Sequence, residues 1–70
     1  MPPKIRQLKA QLRRAGFYSR SAKGSHTKWV HLQFSQVSVT LSGKDGNDAK
    51  QYQIEDVQDA LRKVDKNYEP

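Results

Sequence analysis

The sequence predicts a small α+β domain with the element order α-β-β-β-α, in which two helices cover one face of a three-stranded antiparallel sheet. Apolar residues recur at intervals of three and four near both ends of the chain, which is typical of amphipathic helices. Between the two helices, apolar and polar residues alternate, as in antiparallel strands with one covered face. Because both helices must bury an apolar stripe and the sheet offers the only apolar surface, we expect one two-layer domain over residues 1–70.

The first helix is predicted to begin near Pro2 and Pro3 and to end at Gly16. Proline suits the first turn because its fixed φ is helical and its missing N–H needs no partner there. The apolar stripe then consists of Ile5, Leu8, Leu12 and Ala15. Glycine ends a helix well because it adopts a left-handed cap without steric cost.

Three strands are predicted between this helix and a polar loop at residues 42–50. The first strand covers residues 17–22, and a turn follows at residues 23–25. The second strand covers residues 29–34, and its inward face is expected to carry Val30, Leu32 and Phe34. The opposite face of that strand would then carry Trp29, His31 and Gln33. The third strand covers residues 37–41, and its inward residues are expected to be Val37, Val39 and Leu41.

A second helix is indicated by an apolar stripe that consists of Ile54, Val57, Leu61 and Val64. Two starting points are compatible with the sequence. Asp48 and Gln51 have the spacing of a capping box, which would start the helix early. Alternatively, residues 52 and 53 are extended and the helix begins near Ile54. The complete arrangement is the one that double-stranded RNA-binding domains use, although a fold alone does not define a function.

The charge of the chain is distributed unevenly. Its formal net charge is +6, but the first 44 residues carry nine Lys or Arg and no Asp or Glu, whereas the remainder has a net charge of −3. A long basic segment without acids is the electrostatic footprint expected for a polyanion, and nucleic acid is the simplest candidate. The alternative is a solvated basic face that only aids solubility.

Other classes of function are disfavoured by composition. The chain has no cysteine, so a disulfide framework and a thiolate metal site are excluded. His26 and His31 are the only histidines, no acid lies near them, and a zinc site is not expected. We expect no cofactor. The sequence also lacks the roughly 18-residue apolar stretch of a membrane helix and a secretory signal, so we expect a soluble cytoplasmic protein without membrane contact.

The segment "KGSHTKWVH", residues 23–31, concentrates the residue types that phosphodiester chemistry uses. His26 is a candidate general base, because an imidazole in water has a pKa of about 6.5 and accepts a proton near neutral pH. Lys23 and Lys28 on either side are candidate phosphate contacts. Gly24 and Ser25 shape the turn, where glycine lets the backbone approach a ligand closely.

Each of these residues also has a purely structural interpretation. A lone histidine in a turn is usually a solvated turn residue, and Ser25 is equally suited to bonding its own backbone. Trp29 is more often a core or interface residue than a platform for a stacked RNA base. Serine-protease-like or paired-carboxylate chemistry is not supported, since no acid precedes Asp45.

The stretch "LRRAGFYSRSAKGSHTKWVH", followed by "VTLSGKDGNDAKQYQIEDVQDAL", resembles the HicA family of bacterial toxins. These toxins are small ribonucleases of type II toxin–antitoxin modules. The similarity extends from the first predicted helix through the second. Its central signature is a Gly-Ser-His turn, matched here by Gly24, Ser25 and His26, with an aromatic residue at Trp29 and a second histidine at His31.

The resemblance implies a fold like that of double-stranded RNA-binding domains and a histidine, here His26, that is needed to cleave mRNA without a metal. It also implies a HicB-type antitoxin that covers the site, with any oligomer formed only in the complex with that antitoxin. Trp29 and the basic turn would then be anchors for the antitoxin, and Lys23, Gly24, Ser25, Lys28, Trp29 and His31 would contact RNA. His31 has a second possible role, in which it steadies the turn or packs against Trp29.

Two other functions remain open at the level of sequence. A non-catalytic RNA-binding module would use the same basic face to recognise the shape of a duplex, over about 16 base pairs. A pure interaction domain would bind an acidic protein through that face. The salt dependence of RNA affinity distinguishes the RNA-binding functions from the interaction domain, because phosphate contacts weaken steeply as the salt concentration rises.

Overall fold

The predicted order of elements is confirmed by a computed structural model that describes residues 1–21, 24 and 26–68. It consists of helix α1 (Ile5–Arg14), strands β1 (Phe17–Ser21), β2 (Thr27–His31) and β3 (Ser38–Leu41), and helix α2 (Gln51–Tyr68). The strands form one antiparallel sheet in the order β1-β2-β3. The end of the predicted first strand, at residue 22, lies outside the described residues. Within them, neither helix is long and apolar enough to cross a membrane.

The core lies between the two helices and one face of the sheet. Strand register places Ser19 opposite Trp29 and Trp29 opposite Val39, so these residues share a face. Side chains of both helices and of this face form one cluster, which includes Ile5, Leu8, Leu12, Phe17, Trp29, Val37, Val39, Leu41, Val57, Ala60 and Val64. The predicted helical stripes are therefore the ones that are buried. The predicted inward direction of Val37, Val39 and Leu41 is also confirmed.

The predicted faces of β2 are wrong. Trp29 and His31 point toward the helices and are 1% and 5% exposed, whereas Leu32 is 71% exposed. The strand ends at His31 instead of continuing to Phe34, because a turn begins there and breaks the alternation. The indole is the larger apolar surface to bury, so it determines which face of the strand is inward. Phe34 still packs against the core, but it does so from the turn.

The other side of the sheet, here called the outer sheet face, carries the alternate residues of the three strands. The register pairs Tyr18 with Val30 and Arg20 with Lys28 across β1 and β2. It pairs Val30 with Ser38 and Lys28 with Thr40 across β2 and β3. All of these side chains except Val30 are exposed. The outer sheet face is therefore defined by Tyr18, Arg20, Lys28, Val30, Ser38 and Thr40.

The loop between β3 and α2 caps the start of α1. The first amide groups of a helix have no partner within the helix. In this protein the N–H of Ile5 donates to the carbonyl oxygen of Asn47 at 2.9 Å, and the N–H of Arg6 donates to that of Asp45 at 3.1 Å. The Lys9 ammonium also lies 2.6 Å from the Asp45 carboxylate. This loop, which the sequence left undefined, therefore fixes the position of α1 against the rest of the fold.

Helix α2 begins at Gln51, three residues before the later of the two predicted starts. The predicted capping box of Asp48 and Gln51 does not form, because the Asp48 carboxylate pairs with Lys4 instead. The backbone N–H of Lys50 donates to the side-chain oxygen of Gln53 at 2.8 Å. The side-chain amide of Gln53 in turn donates to the carbonyl oxygen of Ser42 at 3.0 Å and ties the helix start to the end of β3.

Candidate nucleic-acid interface

His26 lies at the end of the hairpin that joins β1 and β2. It immediately precedes Thr27, the first residue of β2, and its side chain is exposed. Gly24 is also exposed and has a φ of +62°, a left-handed conformation that favours glycine. Among the residues that the structure describes, no atom lies within 4 Å of the position where a Cβ of Gly24 would stand, so no other described segment covers the backbone there. The other two predicted turn residues, Lys23 and Ser25, lie outside the described residues.

Two cations stand side by side on the outer sheet face, next to this turn. Arg20 and Lys28 are directly opposite one another in the register of β1 and β2, and both are exposed. Directly opposite side chains on a sheet have Cβ atoms about 4.5–5.5 Å apart, and like charges in such positions are destabilising. An anion bound between or above the two charges would relieve this repulsion.

The acids that form ion pairs in the described part of the chain do so with other cations. Lys4 pairs with Asp48, Lys9 with Asp45, and Asp59 with both Arg62 and Lys63. The hydrogen bond and the positive charge of Lys9 lower the pKa of Asp45. Lys63, through its hydrogen bond and its charge, is the main cause of the lowered pKa of Asp59. The cations that lower these two pKa values lie on α1 and α2, and the six residues of the outer sheet face include no acid.

Trp29 is a core residue and offers no surface to RNA or to an antitoxin in this structure. Its side chain is among the largest fully buried ones of the described chain. The Arg13 guanidinium lies 5.1 Å from the centre of the indole ring, within cation–π distance. The predicted contact of Trp29 with a splayed base therefore does not fit the structure. The reason is that the strand presents the indole to the helices and not to the hairpin surface.

His31 is likewise buried, and its ring nitrogens are bonded within the protein. Nε2 lies 2.8 Å from the carbonyl oxygen of Ala15. Nδ1 accepts the backbone N–H groups of Gln33 and Phe34 at 3.0 and 3.2 Å. Because Nδ1 accepts two hydrogen bonds, the proton of the neutral ring belongs on Nε2, which donates to Ala15. The predicted RNA contact of His31 is inconsistent with this burial. Its hydrogen bonds go to the turn after β2 and not to the hairpin turn at residues 23–25 that it was expected to steady.

The ring of His31 joins three segments that are distant in sequence. It meets the ring of Phe17 edge-on, with centroids 5.0 Å apart, and stacks on Phe34 at 5.1 Å. Gly16, at the end of α1, lies against the same ring. His31 is therefore the residue that holds the end of α1, the start of β1 and the turn after β2 together.

Replacing Gly16 with alanine is expected to destabilise the protein. Gly16 has a φ of +98°, and a Cβ there would stand 2.9 Å from Nε2 of His31. Left-handed strain of this kind costs about 1–3 kcal/mol, before the contact with the histidine is counted. Thermal unfolding of the variant measures the effect. Gly46→Ala is the matched control, because a Cβ at Gly46 meets nothing within 4 Å; equal losses in the two variants would contradict the role of Gly16.

Two exposed residues of this surface, Arg20 and Tyr18, were not among the predicted site residues. Arg20 and Lys28 are equidistant from Gly24 in the sequence, so a hairpin centred on that glycine necessarily pairs them. Tyr18 precedes Arg20 by two positions and therefore lies on the same face. The signal was the symmetry of the hairpin about the predicted turn at residues 23–25. It was missed because the second strand was predicted to begin at residue 29, which left Lys28 outside the strand.

Metal-binding residue types are not clustered in the part of the chain that the structure describes. No group of three or more His, Cys, Asp or Glu side chains lies close enough together there to hold a metal ion. Comparisons of the chain with protein-family models, with curated proteins and with solved structures give no match.

Proposed function

We propose that this protein is a toxin ribonuclease of the HicA type, which cleaves mRNA without a metal and uses His26 as the general base. The observation that carries the proposal is the position of an exposed histidine at the end of a sheet face with two adjacent cations and no acid. The α-β-β-β-α order, shared with double-stranded RNA-binding domains, supports an RNA substrate. The cytoplasm is the compartment that follows from an mRNA substrate.

The proposed reaction is attack of a ribose 2′-hydroxyl on the adjacent phosphorus. His26 takes the 2′-hydroxyl proton, a bond forms between the 2′-oxygen and phosphorus, and the bond to the 5′-oxygen of the next nucleotide breaks. The departing oxygen takes a proton from water or from the imidazolium. The products are a 2′,3′-cyclic phosphate and a 5′-hydroxyl end. The imidazole of His26 can act as the base if it lies within hydrogen-bonding distance of the 2′-hydroxyl of the bound RNA.

The adjacent cations stabilise the charge that grows on the phosphoryl oxygens. Lys28 lies two residues after His26, and the open backbone at Gly24 lets amide groups approach the same oxygens. General-base catalysis contributes about 10²–10⁴-fold by itself. A site with one histidine is thus expected to be a slow ribonuclease, which is compatible with a toxin that acts on a whole mRNA pool.

The exposed positive charge of the outer sheet face also favours binding of an acidic protein partner. A HicB-type antitoxin that covers the site would place acidic side chains against Arg20 and Lys28, because complementary charge directs association. Oligomers are then expected only in the complex. Trp29 is no longer proposed as an anchor for this partner, since it is buried.

The test is cleavage of a single-stranded RNA by the purified protein in EDTA, beside a substrate with one 2′-deoxy position at the cleavage site. We expect cleavage to persist in EDTA and to stop at the 2′-deoxy position, with a cyclic phosphate on the 5′ product. Cleavage that needs a divalent metal, or that ignores the missing 2′-hydroxyl, would refute the mechanism. RNA binding without any cleavage would favour a non-catalytic RNA-binding module.

A further inference from the structure

The outer sheet face is left uncovered by the helices and is exposed to solvent except at Val30, which is buried among its neighbours. Both helices bury their apolar stripes against the opposite face. Tyr18 remains 42% exposed, and Arg20, Lys28, Ser38 and Thr40 are exposed beside it. An aromatic ring, two cations and two hydroxyls are the groups that single-stranded nucleic acid requires of a protein. The six residues of the face include no acid, although Asp56 and Asp59 of α2 line a groove together with Ser38 and Thr40 at its β3 edge.

The residues of this face lie in two rows that cross the strands. Arg20, Lys28 and Thr40 form the row nearer to the β1–β2 hairpin, and Tyr18, Val30 and Ser38 form the second row. Two residues along a strand span about 7 Å, so the rows are separated by about that distance. His26, two positions before Lys28, lies beyond the first row. A chain that leaves the hairpin across this face meets the cations first and the tyrosine next.

We propose that the outer sheet face is the binding path of single-stranded RNA, with Arg20 and Lys28 on its phosphates and Tyr18 stacked on a base. This inference rests on the proposed function, because it takes the substrate of His26 to be RNA. It adds two binding residues, Arg20 and Tyr18, and a direction in which the substrate extends from the cleavage site. Ser38 and Thr40 supply neutral hydrogen bonds to the same backbone.

The geometry favours a single strand over a duplex. The bases of a duplex are stacked on one another and cannot stack on Tyr18, whereas unpaired bases can be splayed onto an aromatic ring. Three strands at about 4.8 Å spacing give a face about 10 Å wide, which suits one backbone. A duplex reader needs contacts spread over about 16 base pairs, and the cations of this face are concentrated in one row.

The effect of Arg20 on the unfolding temperature distinguishes a binding role from a structural role. Arg20 and Lys28 face each other as like charges, so removing one relieves repulsion in the folded protein. Arg20→Gln is therefore expected to unfold at the same or a higher temperature while it binds RNA more weakly. A fall in unfolding temperature together with weaker binding would assign Arg20 a structural role and overturn this part of the proposal.

The experiment measures affinity for a fluorescent 2′-O-methyl RNA in EDTA, so that no cleavage can occur and the intact protein is used. Tyr18→Ala is expected to weaken binding about tenfold or more, and Tyr18→Phe to retain it, because stacking requires only the ring. The matched control is Tyr52→Ala, which removes a tyrosine that is 54% exposed on α2. Equal losses at Tyr18 and Tyr52, or none at Tyr18, would overturn the stacking role.

The charges are tested by the salt dependence of the same affinity. Each phosphate contact contributes a slope of about −0.7 in a plot of log affinity against log salt for a single strand. Arg20→Gln and Lys28→Gln should each reduce the magnitude of the slope by about that amount. Arg6→Gln, which removes an exposed arginine from α1, should leave it unchanged. A loss at Arg6 equal to that at Arg20 would place the RNA elsewhere than on this face.

The affinity of the protein is also measured for an RNA duplex that contains the same sequence. We expect the duplex to bind more weakly than the single strand and to be indifferent to Tyr18→Ala. Tighter duplex binding with no effect of Tyr18 would replace the proposal by a duplex reader. These outcomes are independent of catalysis: a protein that cleaves nothing can still show the Tyr18 and Arg20 effects, and an active ribonuclease can lack them.

Discussion

His26→Ala is expected to lower RNA cleavage by at least about 10²-fold while the protein folds and binds RNA as before. The side chain is exposed, so its removal leaves no cavity and breaks no packing in the core. What the substitution removes is the group proposed to take the 2′-hydroxyl proton. The measurement is the single-turnover cleavage rate on a saturating RNA, which separates chemistry from binding.

Two further measurements on His26→Ala show whether the lost cleavage reflects chemistry, folding or RNA binding. Thermal unfolding should match that of the wild-type protein, and affinity for the 2′-O-methyl RNA should change little. Thr27→Ala, one position further along, is a control for disturbance of the hairpin, because threonine cannot act as a base at neutral pH. Loss of folding together with activity, or cleavage retained in His26→Ala, would refute the role assigned to His26.

His31→Ala is expected to have the opposite phenotype, a large loss of stability. The imidazole satisfies two backbone N–H groups and one carbonyl oxygen. These bonds are partly buried, so each group left without a partner costs up to about 1–3 kcal/mol. The packing of the buried ring is lost as well, and a total loss of roughly 3–5 kcal/mol is expected. Small domains have total stabilities near the low end of 5–15 kcal/mol. The expected fall in unfolding temperature is more than about 10 °C.

The controls for His31 use partial mimics of the ring. In His31→Asn, the amide oxygen can take the place of Nδ1 and accept from the backbone after β2, so this variant should lose less stability than His31→Ala. His31→Phe keeps the aromatic contacts with Phe17 and Phe34 but none of the hydrogen bonds. If His31→Phe were as stable as the wild-type protein, packing and not hydrogen bonding would be the contribution of this residue.

The contrast between the two histidines cannot be obtained from composition. They are five positions apart, and both fit a ribonuclease signature in the sequence. Only burial separates them, since His26 is exposed before β2 and His31 is enclosed at its end. An activity assay alone does not distinguish the variants, because His26→Ala loses cleavage through chemistry and His31→Ala loses it through unfolding. Measurements of stability and of cleavage on the same preparations are therefore needed to distinguish them.

The presence of both helices and the end of α1 follow from local physics and were predictable. Their starts were not, because α1 begins at Ile5, after the two prolines, and α2 begins at Gln51. The stripe Ile5, Leu8 and Leu12 repeats at helical spacing, and Gly16 ends the helix region because only glycine adopts its backbone conformation readily. The stripe of α2 is equally regular, and its residues Val57 and Val64 are buried as expected. Such patterns are visible in sequence because every turn of a helix repeats the same requirement.

Which face of β2 is buried was not predictable from the alternation of apolar and polar residues alone. Both sets of its residues contain apolar side chains, Val30 on one face and Trp29 on the other, so the pattern fits either orientation. A shift of one residue exchanges the two faces of a strand. Packing against the helices decides between them, and in this protein the larger indole is buried. That choice moved Trp29 and His31 out of the candidate site.

The sequence by itself determined the order of elements, the acid-free basic segment and the glycine-centred turn that contains His26. These features depend on residue type and on spacing within a few positions, which is information that a chain carries locally. Only the tertiary structure decided that β2 begins at Thr27 and so includes Lys28, that its inward face carries Trp29 and that His31 is a bonded core residue. The physical reason is that these relations depend on strand register and on competition for burial, which involve residues far apart in the chain.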